Sequence, residues 1–445
     1  MEQTKQTGRI VPITMMIVLF AMISFVTNLA APMGVVLKNQ FDLGNSAGML
    51  GNFMNFAAYA VMGIPAGRLL SRRGYKFTAL AAVAVGFIGV GIQYLSGHTS
   101  GLSGSIFNLP ISFFIYLLGA FVAGLSMCML NTVVNPMLNT LGGGGKKGNQ
   151  LLQVGGTFNS LAATITPMLV GALIGEAAKA NITDVFPVMY IAMGVFALVF
   201  IVLALVNIPE PHLVKKDANA QKVKTKYSAW SFRHFVLGAI GIFVYVGVEV
   251  GIPGTLFFFL SDPAAGLDPA TAATMAGFVA GTYWFMMLIG RFLGGVIGGK
   301  VSSKAMLGVA AGIALVLVLA AIFSPVATKI SMPVLLKSAT GGISFGMTMV
   351  PISAMFLVLC GLCTSVMWGG IFNLAVEGLG KYITTASGIF MTMVVGGGIL
   401  PLLQNVVSDL AGFMPSYWVV FAGFAYLLFY ALSGSRNVSK HIPVE

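Results

Sequence analysis

A single carboxylate, Glu249, lies in the apolar stretch IFVYVGVEVGIPGTLFFFL, which covers residues 242–260. No basic residue lies within seven positions on either side of it. An ionised carboxylate in the middle of a membrane helix costs about 2.5–3.5 kcal/mol on insertion scales. Glu249 could couple proton movement to a solute, accept a hydrogen bond from a substrate hydroxyl, or make a structural polar contact near Pro253. We favour the hydrogen-bonding interpretation.

Carboxamides and aromatic residues with polar tips interrupt other apolar runs. Asn131 and Asn135 are four positions apart, as are Tyr245 and Glu249, so each pair shares one helix face. An amide that faces lipid has no hydrogen-bond partner, so these groups are expected to face inward. Each alone could join two helices, but together they favour a polar cavity. The predicted binding set is Asn28, Asn52, Asn131, Asn135, Asn159, Tyr245, Glu249 and Trp284.

The composition is that of a membrane protein. Of the 445 residues, 57% are hydrophobic and only 8% are charged, which leaves too little polar surface for a soluble domain. Apolar runs long enough to cross a hydrocarbon core of ~30 Å recur along the chain. We predict twelve spans, at residues 11–37, 46–70, 77–96, 107–138, 149–174, 185–208, 232–260, 270–298, 304–323, 346–374, 384–409 and 415–434. Most of 324–350 is predicted to be a loop.

The basic residues set the predicted orientation. With the N-terminus inside, all of the 24 lysines and arginines except four fall on the cytoplasmic side. Those four are Lys38, Lys179, Lys329 and Lys337. This asymmetry follows the positive-inside rule, so both termini are predicted to be cytoplasmic. The rule also accounts for the net charge of +12 without a nucleic-acid partner.

The chain divides into two similar halves. The polar segment 209–230 separates residues 1–208 from 231–445, and each half carries six predicted spans, as in an internal duplication. The stretches AGRLLSRRGYK (66–76) and IGRFLGGVIGGKVSSK (289–304) repeat a Gly-Arg pair at the inner end of the second span of each half. We predict two pseudo-symmetric six-helix bundles joined by a basic linker.

Four charged residues are predicted to form a cytoplasmic gate, because they lie at the inner ends of spans: Arg68, Arg72, Arg291 and Glu377. Glu377 precedes Lys381 by four positions, a spacing typical of an ion pair on a helix. Asp409, at the outer end of the eleventh span, is interpreted as solvated or as a gate residue.

The sequence gives no sign of a metal, a cofactor or a catalytic centre. Cys128, Cys360 and Cys363 lie inside apolar runs, and the four histidines lie in loops or at helix ends. No nucleotide-binding loop is present, so gradients must supply the energy. A membrane enzyme would need clustered acids or histidines, and a sensor would need a soluble output domain. We therefore predict a monomeric transporter that needs no cofactor and is not an enzyme.

Several motifs resemble those of a known family. GRLLSRRGYK is similar to the loop signature of the major facilitator superfamily, with Ser71 at a usually acidic position. The resemblance narrows to the fucose/glucose–galactose:proton symporter family through AAYAVMGIPAGRL (57–69), NTVVNP (131–136) with TFNSL (157–161), IFVYVGVEVGI (242–252), YWFMMLIGRFLG (283–294), and IFNLAVEGLGK (371–381) with VGGGILPLLQNVVSD (395–409).

This resemblance implies a sugar importer of the bacterial inner membrane that works by alternating access. A site for a monosaccharide needs amides and hydroxyls that replace water and an aromatic face for the sugar ring, which the predicted set supplies. Departures from the family pattern remove two acids: the first span reads VTNLAAPMG (26–34), and Asn131 replaces a Glu. Glu249 is then the proton-coupling candidate, and both proton symport and facilitated diffusion stay open. The alternative is an exporter of amphipathic compounds with a pocket lined by Met and Phe.

Overall fold

A computed structural model of the 445-residue chain describes residues 2–99, 104–106, 109–142, 145–174, 176, 179–210, 227–297, 301–337, 343–379, 382–438 and 442. Most of the predicted linker and Lys381 therefore lie outside the described residues.

Long apolar helices dominate the fold, as the apolar runs predict. The helices are α1 (Glu2–Thr27), α2 (Ala30–Gln40), α3 (Asn45–Gly48), α4 (Leu50–His98), α5 (Ile111–Leu141), α6 (Gly145–Ile174), α7 (Phe186–Leu205), α8 (Arg233–Ser261), α9 (Ala272–Ile297), α10 (Ser303–Phe323), α11 (Ile352–Thr364), α12 (Met367–Val376), α13 (Ile383–Met393), α14 (Gly396–Ala411), α15 (Phe413–Ser416) and α16 (Trp418–Phe429). A π-helical turn, Tyr430–Gly434, follows α16.

Eleven helical segments among the described residues are long and apolar enough to cross a membrane. One of them, α4, has 49 residues, which at 1.5 Å per residue would extend ~74 Å, more than twice the ~30 Å of a hydrocarbon core. Inside it, Gly74 has φ 83° and ψ 179°, a conformation that only glycine adopts readily. We interpret α4 as two spans that meet at Gly74, which agrees with the predicted second and third spans.

The Gly74 turn is tied to the start of the linker. The Glu210 carboxylate accepts hydrogen bonds from the backbone N–H groups of Tyr75 and Lys76, at 2.7 and 2.9 Å. The Lys76 ammonium group donates to the carbonyl of Ala204. Glu210 thus satisfies free N–H groups at the start of the returning helix, as capping residues do.

Several predicted spans are interrupted, and three of the breaks lie well inside a span. The first span breaks at Asn28–Leu29, between α1 and α2; the tenth breaks between α11 and α12; and the eleventh breaks between α13 and α14, directly before three glycines. These glycines allow close contact between helices: a Cβ at Gly396 would overlap the backbone of Phe243. Close approach of this kind is typical of small residues in membrane helices.

The prediction of a loop over most of 324–350 is wrong. Strands β3 (Lys329–Lys337) and β4 (Ile343–Pro351) form an antiparallel hairpin, and the predicted span 346–374 becomes helical only at Ile352. Val, Ile, Met and Phe favour strands, and Pro351 stands just before the first turn of α11, where its missing N–H costs nothing. A second, two-residue pair, β1 (Ser105–Ile106) and β2 (Leu109–Pro110), precedes α5.

The two halves of the chain pack on each other through a few helix pairs. Helix α6 packs along α9, and α4 packs on α13 and α14, while α2 contacts α8. Glycines allow the backbones to meet: Gly277 of α9 lies against Pro167 and Gly171 of α6. These contacts enclose a space that is lined by three residues of the predicted binding set.

Candidate functional site

A cavity of about 40 Å³ lies between the two halves. Three predicted residues, Asn28, Asn52 and Trp284, line it, and Thr27 adds a hydroxyl. Pro253 and Phe257 supply apolar wall. A space of this size holds a few water molecules but not a hexose, so the halves are closed around it in this conformation.

The carboxamides of the cavity are held by backbone carbonyls. Asn52 Nδ2 donates to the Gly397 carbonyl at 2.8 Å and so joins α4 to α14 in the other half. Asn28 Nδ2 donates to the carbonyl of Ser24, one turn earlier in α1, at 2.9 Å. Asn28 directly follows α1, and its backbone N–H also donates to the Ser24 carbonyl, at 3.0 Å, so the side chain is a second donor to the same oxygen. Both amides are therefore positioned by the helix breaks or by the facing bundle.

Asn131 and Asn135 form a second polar group with Tyr59. Asn131 Nδ2 donates to the Tyr59 hydroxyl at 2.8 Å, which links α5 to α4. Asn135 Nδ2 donates to the carbonyl of Asn131 at 2.9 Å, as the four-residue spacing predicts. Asn159 Nδ2 donates to the carbonyl of Phe20 and links α6 to α1. These amides do not line the 40 Å³ cavity; in this conformation they join helices of the N-terminal half.

Glu249 has an opposite charge that the sequence did not indicate. Arg291 Nη2 lies 3.4 Å from Glu249 Oε1, and the two side chains are only 17% and 13% exposed. The other guanidinium nitrogen, Nη1, donates to Ser160 Oγ at 2.7 Å and to the Gly156 carbonyl at 3.1 Å. Arg291 therefore connects α9 and α8 of the C-terminal half with α6 of the N-terminal half.

The aromatic residues near Glu249 are buried. Tyr245 lies one turn before Glu249, and its buried hydroxyl has no hydrogen-bond partner among the described residues, whereas the Tyr283 hydroxyl donates to the Glu249 backbone carbonyl at 3.2 Å. Tyr283 packs edge-on against Trp284, with ring centroids 5.3 Å apart. A carboxylate, a guanidinium group and two phenols thus lie on the neighbouring helices α8 and α9, and such a set of donors and acceptors suits recognition of hydroxyl groups.

The four predicted gate residues do not form one cluster. Arg68, Arg72 and Glu377 are exposed, and none of them forms an ion pair with another described residue. The carbonyl of Glu377 is 2.9 Å from His234 Nε2, whereas its predicted partner Lys381 lies outside the described residues. Arg291 reaches away from the inner end of its helix toward Glu249. The gate assignment stays a prediction.

Contacts that the sequence did not predict hold the opposite end of the molecule together. We call this the Asp409 end, and the end that carries the Gly74 turn the linker end. The Asp409 carboxylate accepts from the backbone N–H groups of Asn45 and Ser46, at 2.7 and 2.8 Å. Lys38 Nζ lies 3.7 Å from Asp262 Oδ2 and donates to Asn45 Oδ1. Asp409 and Asp262 lie in the half opposite to Lys38 and Asn45.

Sequence reasoning missed Ser160, Lys38 and Asp262, because nothing in the order of residues states which helices meet. Asp409 carried a partial signal: an acid at the end of one span could bind the free N–H groups at the start of another helix.

Known membrane transporters are similar to this chain over most of its length. Residues 13–401 match the family model of the Major Facilitator Superfamily. A glucose/galactose transporter of Brucella abortus is 33% identical over 98% of this chain and 97% of its own length. A putative glucose/galactose transporter of Helicobacter pylori is 29% identical over 98% and 99%. The L-fucose-proton symporter of Escherichia coli is 23% identical over 92% and 89%.

Solved structures share the fold. The transporter FucP in the outward conformation covers 97% of this chain and 100% of its own, with 21% identity and a TM-score of 0.66. A bacterial homologue of the human lysosomal transporter Spinster, in an inward-facing and occupied conformation, covers 94% of each chain with 15% identity and a TM-score of 0.62. At these identities the likeness establishes the arrangement of helices alone.

Proposed function

The chain belongs to the Major Facilitator Superfamily, within it to the fucose/glucose–galactose symporter branch, and from this we propose that it imports a monosaccharide by alternating access. The observation that carries the proposal is a set of polar side chains: the amides, the phenols and the Glu249–Arg291 pair. They lie between the two halves or in the helices next to the interface. Hydroxyl-rich solutes need donors and acceptors to replace water, and these side chains provide both. The relatives named as glucose/galactose transporters support the same substrate class.

The cavity favours this proposal over export of amphipathic compounds. A pocket for such compounds would be lined by flexible Met residues. The described lining of the cavity contains Asn28, Asn52 and Trp284 and includes no Met. The polar atoms there come from amides and Thr27, which suits a sugar.

We assign the linker end to the cytoplasm, because the basic residues of the sequence concentrate there. Both termini are then cytoplasmic and the protein is a multi-pass component of the bacterial inner membrane, active as a monomer. The described hydrogen bonds and ion pairs between the halves lie at Arg291 or nearer to the Asp409 end. With this orientation the structure corresponds to a state closed toward the outside.

We propose that residues 1–208 and 231–445 form the two halves that move relative to each other. Because Arg291 contacts α6 and Glu249 at once, any relative movement of the halves changes its surroundings. We infer that Glu249 accepts a hydrogen bond from the sugar when Arg291 is displaced. Glu249 is also the acid that a proton-coupled cycle would have to use, since the acid of the first span and that of the fourth are replaced.

The test is uptake of labelled hexoses and 6-deoxyhexoses into proteoliposomes, with and without an inward proton gradient. Wild type is compared with Glu249→Gln and, as a matched control, with Glu176→Gln, which changes an acid paired with the exposed Lys179. We expect uptake by wild type and the control and impaired uptake by Glu249→Gln.

Equal, gradient-insensitive accumulation in all three proteins would remove both the binding and the proton role of Glu249. Absence of uptake for every hexose and deoxyhexose, by a protein that elutes as a single species, would overturn the sugar assignment.

A further inference from the structure

Helix α14 contains Pro401, and this proline frees one carbonyl in the first turn of the helix. In a regular α-helix the carbonyl of Gly397 would accept a hydrogen bond from the N–H of residue 401. Pro401 has no N–H, so the helix itself does not supply this donor. A carbonyl in the interior of a membrane protein needs a partner from elsewhere. The Gly397 oxygen is therefore open to a donor from another helix or from a ligand.

In this conformation the donor comes from the other half of the chain. Asn52 Nδ2 of α4 donates to the Gly397 carbonyl at 2.8 Å, and Asn52 is only 2% exposed. The helices approach closely because Gly397 and Gly398 have no side chains: a Cβ at either position would overlap Phe56 of α4. Asn52 also lines the 40 Å³ cavity. The bond therefore joins the two halves directly beside the cavity.

A second proline produces a bond of the same kind that does not cross the halves. Pro253 lies four positions after Glu249 in α8, and the Tyr283 hydroxyl donates to the Glu249 carbonyl at 3.2 Å. Both residues belong to the C-terminal half, so this bond can persist while the halves move. The bond between α4 and α14 cannot persist in the same way, because it must break when those helices separate.

Binding of a sugar requires that separation. A cavity of about 40 Å³ is too small for a hexose, so its walls must move apart before a sugar enters. When the Asn52–Gly397 bond breaks, an amide donor and a carbonyl acceptor both lose their partner beside the entering solute. A single hydroxyl group can satisfy both, because it accepts from the amide and donates to the carbonyl at the same time.

A further donor lies on the same side of α14. Gln404 is seven positions after Gly397, which places the two residues on one helix face. Its side chain is 1% exposed, and Nε2 has no hydrogen-bond partner among the described residues. The Gln404 amide lies against Gly251, which is next to Val250 in the cavity lining. A buried donor without a partner is costly, and a polar ligand on this face of α14 would remove that cost.

We propose that one hydroxyl group of the sugar inserts between Asn52 Nδ2 and the Gly397 carbonyl and replaces the bond between the halves. This inference rests on the proposed function and adds a backbone acceptor to its binding site. The hydroxyl accepts from Asn52 and donates to Gly397, so neither group is left without a partner when the sugar is bound. An analogue that lacks this hydroxyl leaves both groups unpaired and binds less tightly.

The test measures equilibrium binding to purified protein in detergent. The ligand is D-galactose or D-glucose, whichever wild type binds more tightly, and its monodeoxy analogues compete with the tritiated sugar. Wild type is compared with Asn52→Ala, which removes the donor, and with Pro401→Ala, which gives the Gly397 carbonyl a helical N–H. Pro65→Ala is the matched control, because Pro65 also lies inside a helix but is exposed and outside the described lining of the cavity.

We expect one monodeoxy analogue to bind wild type and the Pro65→Ala control about tenfold more weakly than the parent sugar. In Asn52→Ala and in Pro401→Ala the same analogue should lose less affinity, because one of the two bonds to that hydroxyl is already absent or weakened. Each variant changes a different member of the pair, so either one decides the question if the other does not elute as a single species.

Two outcomes would contradict the proposal. If removal of each hydroxyl costs the same affinity in wild type and in both variants, the subsite is overturned, because Asn52 and Gly397 then only hold the halves together. If wild type binds neither sugar nor any deoxyhexose, the proposed function is overturned and the subsite with it.

Discussion

The Glu249–Arg291 pair is the residue-scale feature on which the proposed site depends. A carboxylate in an apolar run predicted a polar partner, and Arg291 provides it together with two bonds to α6. The sequence alone predicts that Glu249 lies inside a span and faces inward, because acids and amides in a span need partners that lipid does not provide. The partner could not, because 42 positions separate the two residues and only tertiary packing joins them.

We expect Arg291→Ala alone to lower thermal stability more than the double variant that removes both charges. It leaves the Glu249 carboxylate buried and unpaired, a change that typically costs about 3–5 kcal/mol. The Arg291→Ala, Glu249→Gln double variant leaves no unpaired charge and should recover part of the loss. Thermal unfolding in detergent measures both, with Arg68→Ala as the exposed control. Equal losses in the single and double variants would contradict the pairing.

At the scale of elements, hydropathy predicted where helices occur but not where they stop. The spans at 232–260 and 304–323 agree closely with α8 and α10. The interruptions at Asn28 and between α13 and α14 lie inside long apolar runs, so hydropathy treats each run as one continuous span although Asn and Gly favour helix ends. The hairpin at Lys329–Pro351 was missed although β4 alternates apolar residues with Ser344, Gly346 and Thr348, the pattern that indicates a strand; β3, which contains Pro333, shows it less clearly.

Gly277→Val is expected to separate α9 from α6. The added side chain would collide with the carbonyl of Pro167 and with Gly171, so the helices must move apart. Uptake should fall, and a thiol introduced at Thr27, beside the cavity, should react faster with a membrane-impermeant reagent.

Gly312→Val is the matched control for this change, because Gly312 has open space beside it and lies on α10. If both variants react and transport alike, close packing of α6 and α9 does not keep the Asp409 end closed.

At the scale of the whole molecule, Asp409 and Lys38 join the two halves. Removing both interactions with Asp409→Ala and Lys38→Met should shift the population toward a conformation open at that end. Spin labels at the exposed positions Thr183 and Asp268, one in each half, should then show a longer distance distribution. Glu176→Ala is the control. An unchanged distribution would mean that helix packing alone sets this equilibrium.

Glu210 determines how the halves are tethered. Because its carboxylate is bonded to Tyr75 and Lys76, the chain leaves the N-terminal half at a fixed point, and residues 211–226 could extend ~55 Å before becoming taut. The described packing and hydrogen bonds between the halves all lie outside this segment, so we expect the halves to associate without the covalent connection. Two separate polypeptides, one ending at residue 213 and the other starting at residue 224, should assemble into a working carrier. Co-purification and hexose uptake would detect this assembly. Cutting instead before Glu210 should weaken that assembly by freeing the Gly74 turn.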